Sequence, residues 1–192
     1  MRHLILDDFL DESECKGLIE LAAPHLQAAT SWDVEKGRDQ ISEYRIADQM
    51  FFQRGQNDLI KTVEEKCAKL SGYPVENGEA IQYIQYSENG HYKSHYDFFD
   101  PNFKGNQYQL SRGGQRVLSI IMYLNTVQDG SGTTVFPRSN VAVAPIQGRA
   151  LMFWNVKENG EPDFSTFHAG SDVGVGQRKM ICTKWVRERQ FF

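Results

Sequence analysis

The hydrophobic pattern of the chain changes period near residue 79, and that change does most to limit the folds open to it. Before it, apolar residues recur at helical spacing. Cys15, Leu18, Ile19 and Ala22 form one stripe, and Leu59, Val63, Cys67 and Leu70 form another. After it the period is two: residues 80–86, 116–125, 133–136, 141–144, 149–154, 165–169 and 179–187 read as strands separated by Gly, Pro, Asn and Asp. Many short strands after an α-rich start predict an α+β protein. Its core is a double-stranded β-helix (jelly roll) over residues 79–192, with the helices of residues 1–78 packed on one outer face. A chain of 192 residues holds both parts as one domain.

Local signals refine this. Residues 2–6 form a short strand, Asp11 with Glu14 three residues on is a capping box, and Gly72 followed by Pro74 ends the second helix. Ser31 to Tyr44 is polar and contains Gly37, so a mobile loop or irregular hairpin is expected. Phe98 to Gln115 is the longest irregular segment of the core, and both stretches suit lids over a site.

The net charge of −4 has no basic stripe to set against phosphates, which disfavours nucleic acid and anionic membrane surfaces as partners. No apolar run approaches the ~18 residues of a membrane span, and the N-terminus lacks a signal-like apolar stretch, so a cytoplasmic location is expected. Cys15, Cys67 and Cys182 are odd in number and lie in apolar-periodic stretches, as reduced core thiols do. Nothing here fixes an oligomeric state.

The chemistry centres on His95-Tyr96-Asp97. In an extended segment the first and third side chains share a face, which puts an imidazole beside a carboxylate. With a second histidine from a remote strand this becomes the 2-His-1-carboxylate triad of non-haem Fe(II) sites, and His168, in Ser165-Thr-Phe-His-Ala-Gly170, is the candidate. By itself His-x-Asp is also what an exposed strand end provides by chance.

Beyond these residues the chain resembles the prolyl 4-hydroxylase family of 2-oxoglutarate and Fe(II)-dependent dioxygenases. The resemblance runs from Phe9 to the C-terminus. It is carried by Tyr86 to Asp97, Gly114 to Asn125, Ser131-Gly-Thr-Thr-Val-Phe-Pro137, Pro145 to Asn155, His168-Ala-Gly170 and Thr183 to Arg189. It implies that His95, Asp97 and His168 hold Fe(II), leaving positions for 2-oxoglutarate and O2, with ascorbate (vitamin C) as reductant. It implies that Tyr123, Tyr86, Thr183 and a lysine bind the co-substrate, and that Tyr92, Arg116 and Trp185 face a proline-containing peptide or protein. The implied reaction is hydroxylation, at C4 of a prolyl residue, coupled to decarboxylation of 2-oxoglutarate to succinate and CO2. An oxygenase of free amino acids or other small molecules would share this metal site, and a non-catalytic jelly-roll binding module would share the fold.

The lysine is where the chain departs from the family pattern. Counted from His168 the position falls on Arg178, and counted back from Trp185 it falls on Lys179. An extra residue is tolerated in a loop better than in a paired strand, where a one-residue slip turns every side chain over. The insertion therefore belongs in 173–178 and Lys179 is the expected anchor. A β-bulge would favour Arg178 instead. Ser171-Asp172 is a second departure, in a loop where the family often carries proline.

Overall fold

Strand β1 (His3–Leu6) opens the chain, and Asp11 then starts helix α1 (Glu12–Ala22). The Asp11 carboxylate accepts from Glu14 N at 2.8 Å, and the Glu14 carboxylate accepts from Asp11 N at 2.8 Å. This reciprocal cap satisfies two of the free N–H groups at the helix start. The computed structural model describes residues 1–33, 38–40 and 43–192, with side chains except over 31–42. Strands β2 (Gln27–Ala28), β3 (Ser31–Asp33), β4 (Arg38–Gln40), β5 (Arg45–Ile46) and β6 (Asp48–Phe51) follow. Of the expected Ser31–Tyr44 loop or hairpin, β3 and β4 pair antiparallel, while 34–37 and 41–42 lie outside the described residues. Helix α2 (Asp58–Ser71) is capped by Asn57 and stops at Gly72, whose φ of 76° is a left-handed conformation that only a residue without Cβ adopts cheaply.

The remaining strands are β7 (Gln82–Tyr86), β8 (His91–His95), β9 (Arg116–Tyr123), β10 (Thr134–Phe136), β11 (Val141–Val143), β12 (Ala150–Trp154), β13 (His168–Gly170) and β14 (Lys179–Arg187). They build two antiparallel sheets in the orders β1-β12-β9-β14-β7-β6-β2 and β11-β10-β13-β8-β5. This is the jelly roll expected from the period-two pattern, with helices on one face. Cys15, Leu18, Ile60 and Val63 of the helices pack on Leu118, Ile120 and Cys182 of the larger sheet and on Ile81 just before β7. Each fully buried aliphatic side chain there contributes about 1.5–3 kcal/mol. A second core of Ile84, Ile121, Tyr123, Phe136, Phe153 and Ile181 fills the space between the sheets.

Three local expectations change. The Phe98–Gln115 segment is not wholly irregular, since it carries the short helix α3 (Gln107–Ser111). Residues 165–169 are not one strand: the Asp163 carboxylate accepts from Ser165 N, a 3-10 turn forms over Phe164–Thr166, and β13 begins only at His168. Asp97 lies past the end of β8, which stops at His95, so strand alternation alone does not set the carboxylate's direction.

Candidate active site

His95 ends β8 and His168 begins β13, and the antiparallel register makes them direct cross-strand partners. Their rings are 4.3 Å apart between centroids. The bend after β8 brings Asp97 Oδ1 to 3.5 Å from His95 Nε2 and 3.9 Å from His168 Nε2. Each imidazole Nδ1 lies 2.9 Å from a backbone carbonyl, that of Lys93 or Thr166. A carbonyl only accepts, so both Nδ1 atoms carry the proton and both Nε2 lone pairs are left for a metal. Ser119 donates to Asp97 Oδ2 at 2.6 Å and itself accepts from Asn155 Nδ2 at 2.9 Å, which fixes the carboxylate.

The electrostatics suit a cation. Burial opposes ionisation of Asp97, but the attraction of His168, with the hydrogen bond and charge of His95, outweighs it and holds the carboxyl well below the usual range. Burial, reinforced by His95, pushes His168 down to about 4, so its imidazole is neutral at pH 7. Two imidazoles aimed by their second nitrogens, with one ionised carboxylate, fit a divalent transition metal. Among the described residues this is the one cluster of three metal-ligating side chains, with ligand atoms all within 4.8 Å of one another.

A narrow pocket runs inward from the triad between the two sheets. Lys179, Ile181, Thr183 and Trp185, alternate residues of β14, all line it, together with Tyr86, Tyr92 and Thr134. Met180, Cys182 and Val186 point the other way, into the helix-facing core. Lys179 pairs with Tyr86 in the ladder and is 2% exposed, whereas Arg178 precedes the strand and is exposed, its carbonyl accepting from Asn125 Nδ2. The Lys179 ammonium stands 5.3 Å from the Tyr86 ring and 5.8 Å from the Tyr123 ring. Burial pushes Lys179 down to about 7. Tyr123 is fully buried and donates to Thr134 Oγ1 at 2.7 Å. Gly132, at a φ of 67°, passes so close that a Cβ there would lie 3.2 Å from Lys179 Cδ. A glycine thus keeps room for the lysine.

A wider cleft of about 600 Å3 opens outward from His95 and Asp97. Tyr92 stacks on His95 at 3.6 Å and Arg116 lies 3.8 Å over the Trp185 ring. Glu79 clamps Arg116 through two hydrogen bonds of 2.6 and 2.8 Å and also accepts from Arg187 Nε at 2.6 Å. Burial opposes its charge, but Arg116 and then Arg187 keep the Glu79 carboxyl below its usual value. The Trp185 Nε1 donor is buried with no partner.

Residues 81–187 match the sequence model of the 2OG-Fe(II) oxygenase superfamily. The chain belongs to this superfamily. Probable prolyl 4-hydroxylase 10 of Arabidopsis thaliana is 32% identical over 209 residues, covering 99% of this chain and 70% of that protein. Prolyl 4-hydroxylase 1 of the same plant is 34% identical, covering 98% and 69%. A solved viral collagen prolyl hydroxylase from Paramecium bursaria Chlorella virus 1, in complex with 2-oxoglutarate, superposes with a TM-score of 0.74 at 26% identity, covering 97% of this chain and 96% of that one. This oxygenase is thus a 2-oxoglutarate-dependent dioxygenase, with Fe(II) as its metal and 2-oxoglutarate and O2 as co-substrates. Arg45, Glu79, Ser119, Thr134 and Arg187 line or brace the oxygenase's cavities and were not singled out from sequence. Arg45 sits in a two-residue strand, too short to show a period. The others carry no motif, and only tertiary pairing reveals them. No helix among the described residues is long and apolar enough to cross a membrane.

Proposed function

We infer that this oxygenase hydroxylates C4 of a prolyl residue in a peptide or protein. The observation that carries the reading is the open cleft beside His95 and Asp97, walled by Tyr92, Trp185 and Phe98 and holding a buried indole N–H without a partner. Such a donor in an aromatic wall suits the carbonyl of an extended, proline-containing chain, which offers carbonyls at every residue but few N–H groups. The prolyl 4-hydroxylase relatives and the viral collagen prolyl hydroxylase support the same substrate class.

In this reading His95, Asp97 and His168 hold Fe(II), which supplies the redox chemistry coupling O2 and 2-oxoglutarate decarboxylation to C–H hydroxylation. Lys179, rather than Arg178, pairs with the distal carboxylate of 2-oxoglutarate, and Tyr123, Tyr86 and Thr183 shape its pocket and supply hydroxyl donors. Tyr92 and Trp185 flank the peptide, and Glu79 holds Arg116 in place against Trp185. Residues 98–115 cover the bound peptide and exclude water. Ascorbate is the reductant that keeps the metal ferrous. Residues 1–78 supply the two long helices and edge strands of both sheets to a single domain completed by 79–192. The three buried, unpaired thiols support a reducing, cytoplasmic setting.

The test is succinate formation from 2-oxoglutarate with Fe(II), O2 and a panel of proline-rich peptides, with free proline and other amino acids alongside. Peptide-dependent succinate, lost in His95→Ala, is the expected result. Stimulation by a free amino acid and by no peptide would contradict it.

A further inference from the structure

Arg45 is the buried cation of the cleft that no carboxylate of the described residues neutralises. It is 7% exposed and lines both the outer cleft and the inner pocket. Its Nε is buried with no partner. Its guanidinium reaches only neutral oxygens, at 3.4 Å to Thr30 O, 3.4 Å to Gln49 Oε1 and 3.5 Å to Gln82 Oε1, together with the Tyr86 hydroxyl. The Gln49 oxygen is already held by Gln82 Nε2 at 2.6 Å. Arg116 and Arg187 differ in this respect, since each makes a 2.6 Å bond to Glu79. A guanidinium removed from water without a counter-charge is unfavourable, and its fork of donors is shaped for a carboxylate.

The position of Arg45 ties it to the reacting centre. It is the direct cross-strand partner of Tyr92, its guanidinium carbon lies 4.7 Å from the Tyr92 ring, and that ring stacks on the metal ligand His95 at 3.6 Å. Those two contacts together span less than three residues of a polyproline II strand, which rises ~3.1 Å per residue. Among the described residues the cleft is lined by three arginines and three carboxylates. Arg45, Arg112 and Arg116 line it against Glu79 and Asp100, Asp97 being committed to the triad.

We propose that Arg45 receives a carboxylate side chain of the substrate, an Asp or Glu at the first or second position beside the hydroxylated proline, so that the oxygenase selects acidic proline-containing segments. The inference rests on the prolyl reading above. Binding of the acidic side chain satisfies the free Nε donor and neutralises the buried charge in one step, which a neutral side chain of the same shape cannot do.

The experiment compares peptides that carry one target proline and differ only by Glu or Gln at the first, second or fourth position on either side. Wild type should favour Glu over Gln by roughly tenfold in kcat/KM at a near position, the effect of one charge-assisted hydrogen bond, and not at the fourth. Arg45→Lys should keep part of that ratio and Arg45→Met should erase it. Equal use of every Glu and Gln peptide by wild type overturns this inference while leaving the prolyl reading intact. A ratio that persists in Arg45→Met also overturns it, as does a raised KM for 2-oxoglutarate with the Glu/Gln ratio intact, which would assign Arg45 to the co-substrate. If no proline peptide is turned over, the prolyl reading falls and this inference with it.

Discussion

The two oxygens of Asp97 have separate duties: Oδ1 faces the imidazoles of His95 and His168, and Oδ2 is held by the Ser119 hydroxyl. Groups that orient a ligand typically influence metal affinity by about 10–100-fold. Ser119→Ala is therefore expected to weaken metal binding by about that factor, measured by competition with a chelator, with the fold unchanged by circular dichroism. Lys179 carries a second residue-scale prediction. Burial pushes its free-state pKa down to about 7, and pairing with a carboxylate of 2-oxoglutarate raises it. Below pH 7 the ammonium is already formed and affinity is full. Above it, binding must take up a proton, and affinity falls by about tenfold per pH unit until the raised pKa is reached. Calorimetry at pH 8 in buffers of different ionisation enthalpy should register that proton uptake in wild type and in Arg178→Ala, and not in Lys179→Ala. Uptake surviving in Lys179→Ala would contradict the assignment.

At the scale of elements, β14 joins the two layers. Its odd-numbered residues from Lys179 to Trp185 line the inner pocket, and Lys184 on its opposite face meets Glu64 of α2 at 2.8 Å, with both side chains nearly inaccessible. Glu64 also accepts from Gly55 N, so the pair fixes the helix against the sheet. Lys184→Met leaves a buried carboxylate without its partner, at a cost of about 3–5 kcal/mol in urea denaturation. Lys184→Met combined with Glu64→Gln should recover most of that loss. A double variant as unstable as the single would show that packing, not charge, dominates there. The alternation of β14 was legible because Lys179, Thr183 and Trp185 lie two or four residues apart. The end of β8 was not, since nothing in Tyr96-Asp97-Phe98 marks the bend that aims Asp97. The short helix α3 was hidden for a similar reason: its one turn, in a Gly- and Asn-rich loop, is too brief to show a helical period.

Across the whole molecule, the period change near residue 79 separates the two long helices from most of the strands, but β1, β2 and β6 of the first 78 residues join the larger sheet and β5 joins the smaller one, so both cores draw on both parts of the chain. The triad needed more than periodicity. His95 and His168 are 73 positions apart in sequence, and only the β8–β13 register makes them neighbours. Arg45 and Glu79, in the walls of one cleft, and Arg187, which braces Glu79 from near the other end of the chain, left no pattern that sequence spacing exposes. In the function proposed above, this site oxidises a prolyl residue. Its most direct test is mass spectrometry of a proline-containing peptide after incubation with Fe(II), 2-oxoglutarate and O2. A gain of one oxygen, placed at C4 of a proline by fragmentation and NMR, is expected with wild type and none with His95→Ala or His168→Ala. An oxygen found only on another residue, or gained equally with the triad variants, would contradict it.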